Sequence, residues 1–429
     1  MILTKNLTIV GMLFFVFGFV TWVNAILIPY FKIGFELNNF QSYMVAVAFY
    51  ISYLPMSIPA GYLLRVIGFK RGMMTGFWIM ALGAFIFVGA AWWRTYPGFL
   101  SGLFAIGAGL TILQTAANPY ITVLGPVERA AQRISVMGVC NKTAGILAPL
   151  LFAAVLLRPA DNEMFHRLPM MGADERRVAL DELIRRVMLP YACIGGILLL
   201  LGWLVRISSL PEIDREEEVS FAGGDKRNIF HFPHLILGAV AIFLHVGTQV
   251  VAIDTIIGYA GSMNIQLPRA KVFPSYILFA TIVGYIIGIL AIPRYISQAR
   301  AFLFCTMLGM VLSLGIVKLH GELALGGHVA DVSLWLMILL GLANSLIWAG
   351  IWPLALDGLG RFTKAGASVL VMGLCGNAVL PLVYGWLADR WGLQEAYWVL
   401  LPCYCYLFFY AVYGHRIRSW QFKKSGKLA

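Results

Sequence analysis

Ser135-Val136-Met137-Gly138-Val139-Cys140 and Leu370-Val371-Met372-Gly373-Leu374-Cys375 are almost the same six residues, set 235 positions apart. Each hexamer lies inside a long apolar run, Arg133–Leu157 and Ala365–Ala388. Two fainter echoes share the spacing. Asn118-Pro119 stands 234 residues before Trp352-Pro353, and Gly18 stands 229 residues before Gly247. One offset, close to half of the 429-residue length, says that the chain repeats a single plan twice.

Working outward from the repeat, the chain contains twelve runs long enough to cross the hydrocarbon core, which takes roughly 20 apolar residues. They are Thr8–Phe31, Ser42–Ile67, Met74–Trp93, Gly98–Ile121, Arg133–Leu157, Val187–Trp203, Leu235–Tyr259, Val272–Pro293, Ala301–Val317, Val332–Leu356, Ala365–Ala388 and Ala396–Tyr413. Unpaired backbone polar groups are not tolerated in lipid, so these runs must be helices. Composition agrees: 60% of residues are hydrophobic and only 12% charged, too few charges to cover a soluble fold of this size. A soluble enzyme, a nucleic-acid-binding domain and a disordered chain are thereby excluded. The net charge of +12 is read as basic cytoplasmic loops. The first run is too long for a signal-peptide core and is expected to stay in the mature protein.

The expected fold class is an all-α membrane protein of 12 transmembrane helices in two six-helix bundles. The bundles are residues 1–207 and 231–429, joined by a polar cytoplasmic linker over 208–230 that carries Glu216, Glu217, Glu218, Gly223 and Gly224. With the N-terminus inside, the cytoplasmic segments hold 19 Lys and Arg and the outer segments 12. Half of those 12 lie in one outer loop, Arg158–Arg186, beside six acids. The positive-inside rule then puts both termini in the cytoplasm. Within that loop, Val178, Leu180, Leu183, Ile184 and Val187 stand among charges and predict a short amphipathic helix over Asp174–Val187 at the outer surface. The six cysteines all fall in spans and read as small apolar residues, not as a disulfide or zinc framework.

Of the 52 charges, only Lys142 and Asp254 fall well inside a span. An intramembrane charge costs at least a few kcal/mol and should face a cavity or a partner. Lys142 stands near mid-depth of the fifth span and Asp254 in the seventh, so they belong to opposite halves. The plain alternative is a structural ion pair. Amides collect at inner positions too: Asn24, Gln114, Asn118, Asn141, Gln249, Asn344 and Asn377. Each offers donors and acceptors and suits a ligand rich in hydroxyls. Trp22, Tyr50, Trp348, Trp352 and Tyr384 accompany them, and an indole face can stack on the apolar face of a pyranose. Singly, an amide is as well read as glue between helices and a Trp as packing. His245, one turn before Gln249, is expected to make a satisfied polar contact instead of binding a metal.

Twelve spans in two similar halves, with both termini inside and a cytoplasmic linker, resemble the major facilitator superfamily. Its loop signature between spans 2 and 3 survives in altered form as Gly61-Tyr62-Leu63-Leu64-Arg65 followed by Gly68-Phe69-Lys70-Arg71-Gly72, with Arg65 where an aspartate is usual. The stretches Thr21–Lys32, Leu113–Tyr120 and Met137–Lys142 resemble the fucose:proton symporter family, and most nearly its bacterial glucose/galactose and N-acetylglucosamine permeases. The resemblance implies sugar uptake across the inner membrane by alternating access, driven by an ion gradient. It also implies sugar contacts and a coupling acid on spans 1 and 4. The chain departs at the coupling acids: Ala25 and Gln114 occupy positions where fucose-type members carry an acid.

The resulting expectation is a cation-coupled sugar importer of the inner membrane, a monomer surrounded by lipid, needing no cofactor and binding no nucleic acid. Its coupling ion is H+ or Na+. The substrate-binding candidates are Trp22, Asn24, Gln114, Asn118, Asn141, Lys142, Gln249, Asn344, Trp348, Trp352 and Asn377, and the ion-coupling candidates are Lys142 and Asp254. Lys142 could stand in for the coupling cation, which would make a uniporter, or pair with Asp254 and give up a proton as the pocket closes. An exporter or importer of organic anions or drugs on the same fold is the nearest rival. An intramembrane enzyme lacks its motifs here, with no His-Glu-x-x-His and no paired intramembrane aspartates. A channel would not account for the repeat.

Overall fold

The computed structural model describes residues 2–37, 39–123, 126–156, 164, 167–208, 228–263, 265, 270, 272–325 and 328–420. Eleven helical segments among these are long and apolar enough to cross a bilayer, and α1 (Ile2–Gly34) supplies the twelfth. In chain order there follow α2 (Asn39–Ile51), α3 (Tyr53–Ile67), α4 (Phe69–Trp92), α5 (Tyr96–Val123), α6 (Ala130–Leu156), α7 (Ala173–Arg185) and α8 (Met188–Ile207). The second half holds α9 (Pro233–Ser262), α10 (Phe273–Ala291), α11 (Gln298–Lys318), α12 (Val332–Leu356), α13 (Thr363–Met372), α14 (Gly376–Trp391) and α15 (Leu400–Val412). Most of the linker, residues 209–227, lies outside the described residues.

The repeat seen in the sequence recurs in the packing. Span 1 packs on span 5 (α1 on α6), and span 7 packs on span 11 (α9 on α14). Span 3 packs on spans 4 and 6 (α4 on α5 and α8), and span 9 packs on spans 10 and 12 (α11 on α12 and α15). Glycines make the first pairing close. A Cβ at Gly18 would lie 2.9 Å from the Asn141 Cα, and a Cβ at Gly376 would lie 2.8 Å from the Phe243 carbonyl carbon. Phe14 and Phe243 stand at the same offset as Gly18 and Gly247, so each half folds span 1 or 7 against the mid-point of span 5 or 11 in the same way.

Two spans are interrupted. Span 2 breaks into α2 and α3 at Ser52. Pro55 has no N–H to give to the Ile51 carbonyl four residues back, and Ser52 Oγ instead donates to the Phe49 carbonyl at 2.7 Å. Span 11 breaks at a short 3-10 turn, Gly373–Cys375, between α13 and α14. These broken spans face each other across the two halves, with α3 against α13. Gly68 joins α3 to α4 at φ 80°, a left-handed turn that favours glycine, and Lys70 Nζ donates to the Ser208 carbonyl at 2.6 Å.

The halves also meet where α6 runs along α10. Ala131 N–H donates to Gln298 Oε1 at 3.2 Å, Gln132 Nε2 to the Ile289 carbonyl at 2.7 Å, and Gly138 lies against the Tyr285 ring. The two hydrogen bonds, with the contacts of α3 and α13, belong to the side of the molecule that carries the chain termini, Gly138 and Tyr285 meet nearer mid-depth, and α2 touches α14 on the opposite side. The opposite side carries α7 and a hairpin of β1 (Glu322–Leu325) and β2 (His328–Asp331), paired antiparallel with Glu322 opposite Asp331. The hairpin is absent from the sequence reading, whose helical runs simply stop at Val317 and restart at Val332. The amphipathic helix is present as α7. It buries Leu180, Leu183 and Ile184, while Val178 is exposed. All six cysteines are free.

Candidate functional site

A cavity lies between the halves at mid-depth, with about 800 Å³ of empty space, its open mouth included. The first half contributes Trp22 from α1, Tyr50 and Tyr53 from the broken span 2, Gln114 from α5, and Asn141 and Lys142 from α6. The second half contributes His245 and Gln249 from α9, Tyr285 from α10, Trp348 from α12 and Asn377 from α14. The repeat explains why these meet. At the offset of 235 Lys142 corresponds to Asn377, and at 234 Gln114 corresponds to Trp348. Equivalent positions of the two halves therefore face one another with different chemistry: amide and ammonium on one wall, indole and amide on the other.

Lys142 stands about halfway along α6 and is 6% exposed. Its ammonium donates to Gln249 Oε1 at 2.9 Å, a bond that joins the halves, and lies 4.8 Å from the centre of the Trp22 ring. That geometry depends on Gly145, one turn beyond Lys142, because a Cβ there would come within 2.7 Å of the Trp22 ring. No carboxylate lies within ion-pair distance of Lys142 among the described residues. The Lys142–Asp254 pair, one of the options the sequence left open, is thus not formed in this conformation. The two residues are separated along α9, because Gln249 precedes Asp254 by five residues, a rise of about 7.5 Å.

Asp254 instead continues the cavity-lining face of α9, one turn beyond Val250 and two beyond Val246. It is exposed, and it lies within electrostatic reach of Tyr50 on the other half. Along α9 that position lies beyond Gln249, away from the end of the helix that follows the linker.

The other candidates divide. Trp22, Gln114, Asn141, Gln249, Trp348 and Asn377 line the cavity. Gln114 Nε2 donates to Tyr53 Oη at 3.2 Å, and Asn141 Nδ2 to the Phe14 carbonyl at 3.3 Å. Asn118, Asn344 and Trp352 are buried behind the lining. Asn344 accepts from Tyr404 Oη at 2.8 Å, and Trp352 backs Trp348 with ring centres 5.5 Å apart. Tyr384 donates to the Leu393 carbonyl at 2.9 Å, away from the cavity. The Asn24 side chain lies outside the described residues.

Two lining atoms are buried without a hydrogen-bond partner among the described residues, Asn377 Oδ1 and His245 Nδ1. A buried polar atom without a partner costs about 1–3 kcal/mol. For His245 this corrects the expectation of a satisfied contact. Its ring lies 6.5 Å from Trp348, in the same cavity lining as Lys142. The sequence held one signal for it, the i, i+4 spacing to Gln249. Tyr53 and Tyr285 had none, because each is brought in by contact with a residue remote in the chain.

The chain was compared with known proteins. A family model described as Major Facilitator Superfamily matches residues 10–368. A glucose/galactose transporter of Brucella abortus biovar 1 (strain 9-941) is 32% identical over 413 residues, covering 96% of this chain and 94% of the relative. The L-fucose-proton symporter of Escherichia coli (strain K12) is 29% identical over 407 residues, covering 93% and 90%. The crystal structure of the transporter FucP in its outward conformation superposes with a TM-score of 0.79 at 27% identity, covering 97% of this chain and 99% of that one.

Proposed function

The chain belongs to the Major Facilitator Superfamily, and from that premise we propose that it is a cation-coupled sugar importer of the bacterial inner membrane, carrying a hexose such as glucose or galactose by alternating access. The observation that carries this reading is the cavity itself: at mid-depth, between two halves, with an ammonium, four amides and two indoles converging on one space. Amide and ammonium groups serve hydroxyls, the Trp348 face serves the apolar face of a pyranose, and Asn377 Oδ1 and His245 Nδ1 gain the partners they lack.

Alternating access follows from where the halves touch. Most of the contact between them runs through α3, α6, α10 and α13 on the termini side, and among the described residues only α2 on α14 joins them on the other, so the cavity is the less firmly closed toward the side carrying α7 and the hairpin. With both termini cytoplasmic this is the outward-facing state. Closing the mouth would enclose Asp254 between the halves. A bare carboxylate resists such burial by several kcal/mol, and a proton or a sodium ion at Asp254 removes that penalty. The coupling site would then lie in the second half, which accounts for a chain that has Ala25 and Gln114 in the first. Lys142, held by Gln249 and Trp22, presents its amine donors at the sugar.

The test is uptake of labelled glucose and galactose into proteoliposomes, with a proton gradient, a sodium gradient or none, and with N-acetylglucosamine as a competitor. Accumulation under one gradient is expected, and failure of every sugar to bind or move overturns the reading. One observation favours a second substrate class. Lys142 has no carboxylate partner among the described residues, which suits a sugar acid, and glucuronate displacing label better than glucose would establish it.

A further inference from the structure

A second cavity, with about 480 Å³ of empty space including its open mouth, lies on the side away from the chain termini, where the end of α4 meets α7. Trp92, Trp93, Arg94, Arg177, Asp181 and Arg185 line it. The sugar reading makes no use of it, and we propose that it is a binding site for the phosphate of an anionic glycerophospholipid in the leaflet on that side.

Three independent observations lead there. The first is depth. α4 is an apolar span, and Trp92 and Trp93 at its end are 60% and 74% exposed. Exposed indoles at the end of a span mark the headgroup plane. The second is charge. Arg177, Asp181 and Arg185 are spaced four apart and share one face of α7. Asp181 is taken by Arg94 at 2.8 Å. Arg185 lies over the Trp92 ring at 5.6 Å and has no carboxylate partner among the described residues, and Arg177 there has no partner at all. Among the described residues two guanidiniums are thus presented at headgroup depth without a free counter-charge, and guanidinium matches phosphate oxygens in a bidentate geometry.

The third observation is construction. Arg94 has φ 49°, a left-handed conformation uncommon for a residue with a side chain, and its guanidinium also donates to the Gly34 carbonyl at 3.2 Å. The wall of the cavity is therefore fixed to the end of α1. α7 is fixed to the same place, with Tyr30 Oη donating to the Leu183 carbonyl and Ile184 covering Gly34. The committed Arg94–Asp181 pair also selects among lipids. A zwitterionic headgroup would bring an ammonium to a cavity whose single carboxylate is already engaged, whereas phosphatidylglycerol brings a net negative charge to two open guanidiniums.

The experiment uses the full chain purified in a mild detergent and supplemented with phosphatidylglycerol, with phosphatidylethanolamine, or with water-soluble glycerol 3-phosphate. Native mass spectrometry counts bound lipid, and thermal unfolding reads the stabilisation. Phosphatidylglycerol is expected to bind and raise the unfolding temperature more than phosphatidylethanolamine, and glycerol 3-phosphate to give no shift, which separates a membrane lipid from free phosphate ester. In Arg177→Gln/Arg185→Gln the phosphatidylglycerol-specific increment is expected to disappear while the shift given by sugar remains. Arg177→Gln alone, which touches no protein group, keeps the test open if the double variant does not fold. An unchanged phosphatidylglycerol increment in the variants, or an equal response to the zwitterionic lipid, overturns the proposal. Neither outcome bears on sugar transport.

Discussion

Replacing Lys142 by methionine should move two measurements in different directions. The ammonium has three protons. One is spent on Gln249 at 2.9 Å, and the others are available to a sugar hydroxyl in the cavity that Lys142 lines. A hydrogen bond from a charged donor contributes roughly 1.5–3 kcal/mol. At about 1.4 kcal/mol per tenfold, its loss weakens sugar binding by roughly 10- to 150-fold. Stability responds otherwise. The variant loses the Gln249 bond and the contact with the Trp22 ring, but it also relieves the protein of a buried amine that has no carboxylate partner among the described residues. Exchanging a buried charge for an apolar side chain of similar size is often neutral or stabilising. Unfolding of the sugar-free variant should therefore occur at or above the native temperature, while titration with sugar shows the lost affinity. Gln249→Leu supplies the control. Alone it strands the ammonium and lowers the unfolding temperature, and in the Lys142→Met background it should cost little, because the two residues act as one unit. Sugar affinity within about twofold of native in Lys142→Met would refute the assignment of this ammonium to the sugar.

Gly18→Val should destabilise by more than about 2 kcal/mol, because its side chain meets the backbone of Asn141 and not a flexible side chain, and a lowered unfolding temperature would check it. Asp254→Asn should abolish gradient-driven accumulation while leaving sugar exchange across the membrane intact, and a variant that still accumulates sugar rules out Asp254 as the coupling group. Asp331 caps α12, accepting from the Ser333 amide at 2.8 Å, so Asp331→Ala should cost about 1 kcal/mol of stability. Partial burial pushes the Asp331 carboxyl up, but hydrogen bonds from Ser333 Oγ and from the Gly321 and Ser333 amides, with His320 nearby, together hold it below the usual carboxylate range. A depressed carboxyl stabilises the folded state at neutral pH and loses that contribution as pH falls through its folded value. The difference between native and variant unfolding temperatures should accordingly shrink below about pH 4 and be constant above about pH 5.

Much of the site was legible because lipid makes polarity conspicuous. An amide or ammonium in the middle of an apolar run is costly unless it faces a cavity, so Gln114, Asn141, Lys142, Gln249 and Asn377 could be singled out one by one. Asn344 and Trp352 satisfied the same criterion and lie behind the lining, because a run of sequence gives depth along a helix but not the direction of its face. His245 shows the opposite error, a residue read as satisfied whose Nδ1 is buried without a partner among the described residues.

The sequence by itself determined that the chain crosses the membrane twelve times and repeats its plan, since hydropathy and internal offset depend only on residue order. It also placed Lys142 and Asp254 in opposite halves. Only the tertiary structure decided that Lys142 takes Gln249 and Trp22 as partners and that Asp254 comes within electrostatic reach of Tyr50 in the other half. Those relations come from rotation of helices about their axes and from glycine-permitted contact between α1 and α6, both set by packing between segments more than a hundred residues apart.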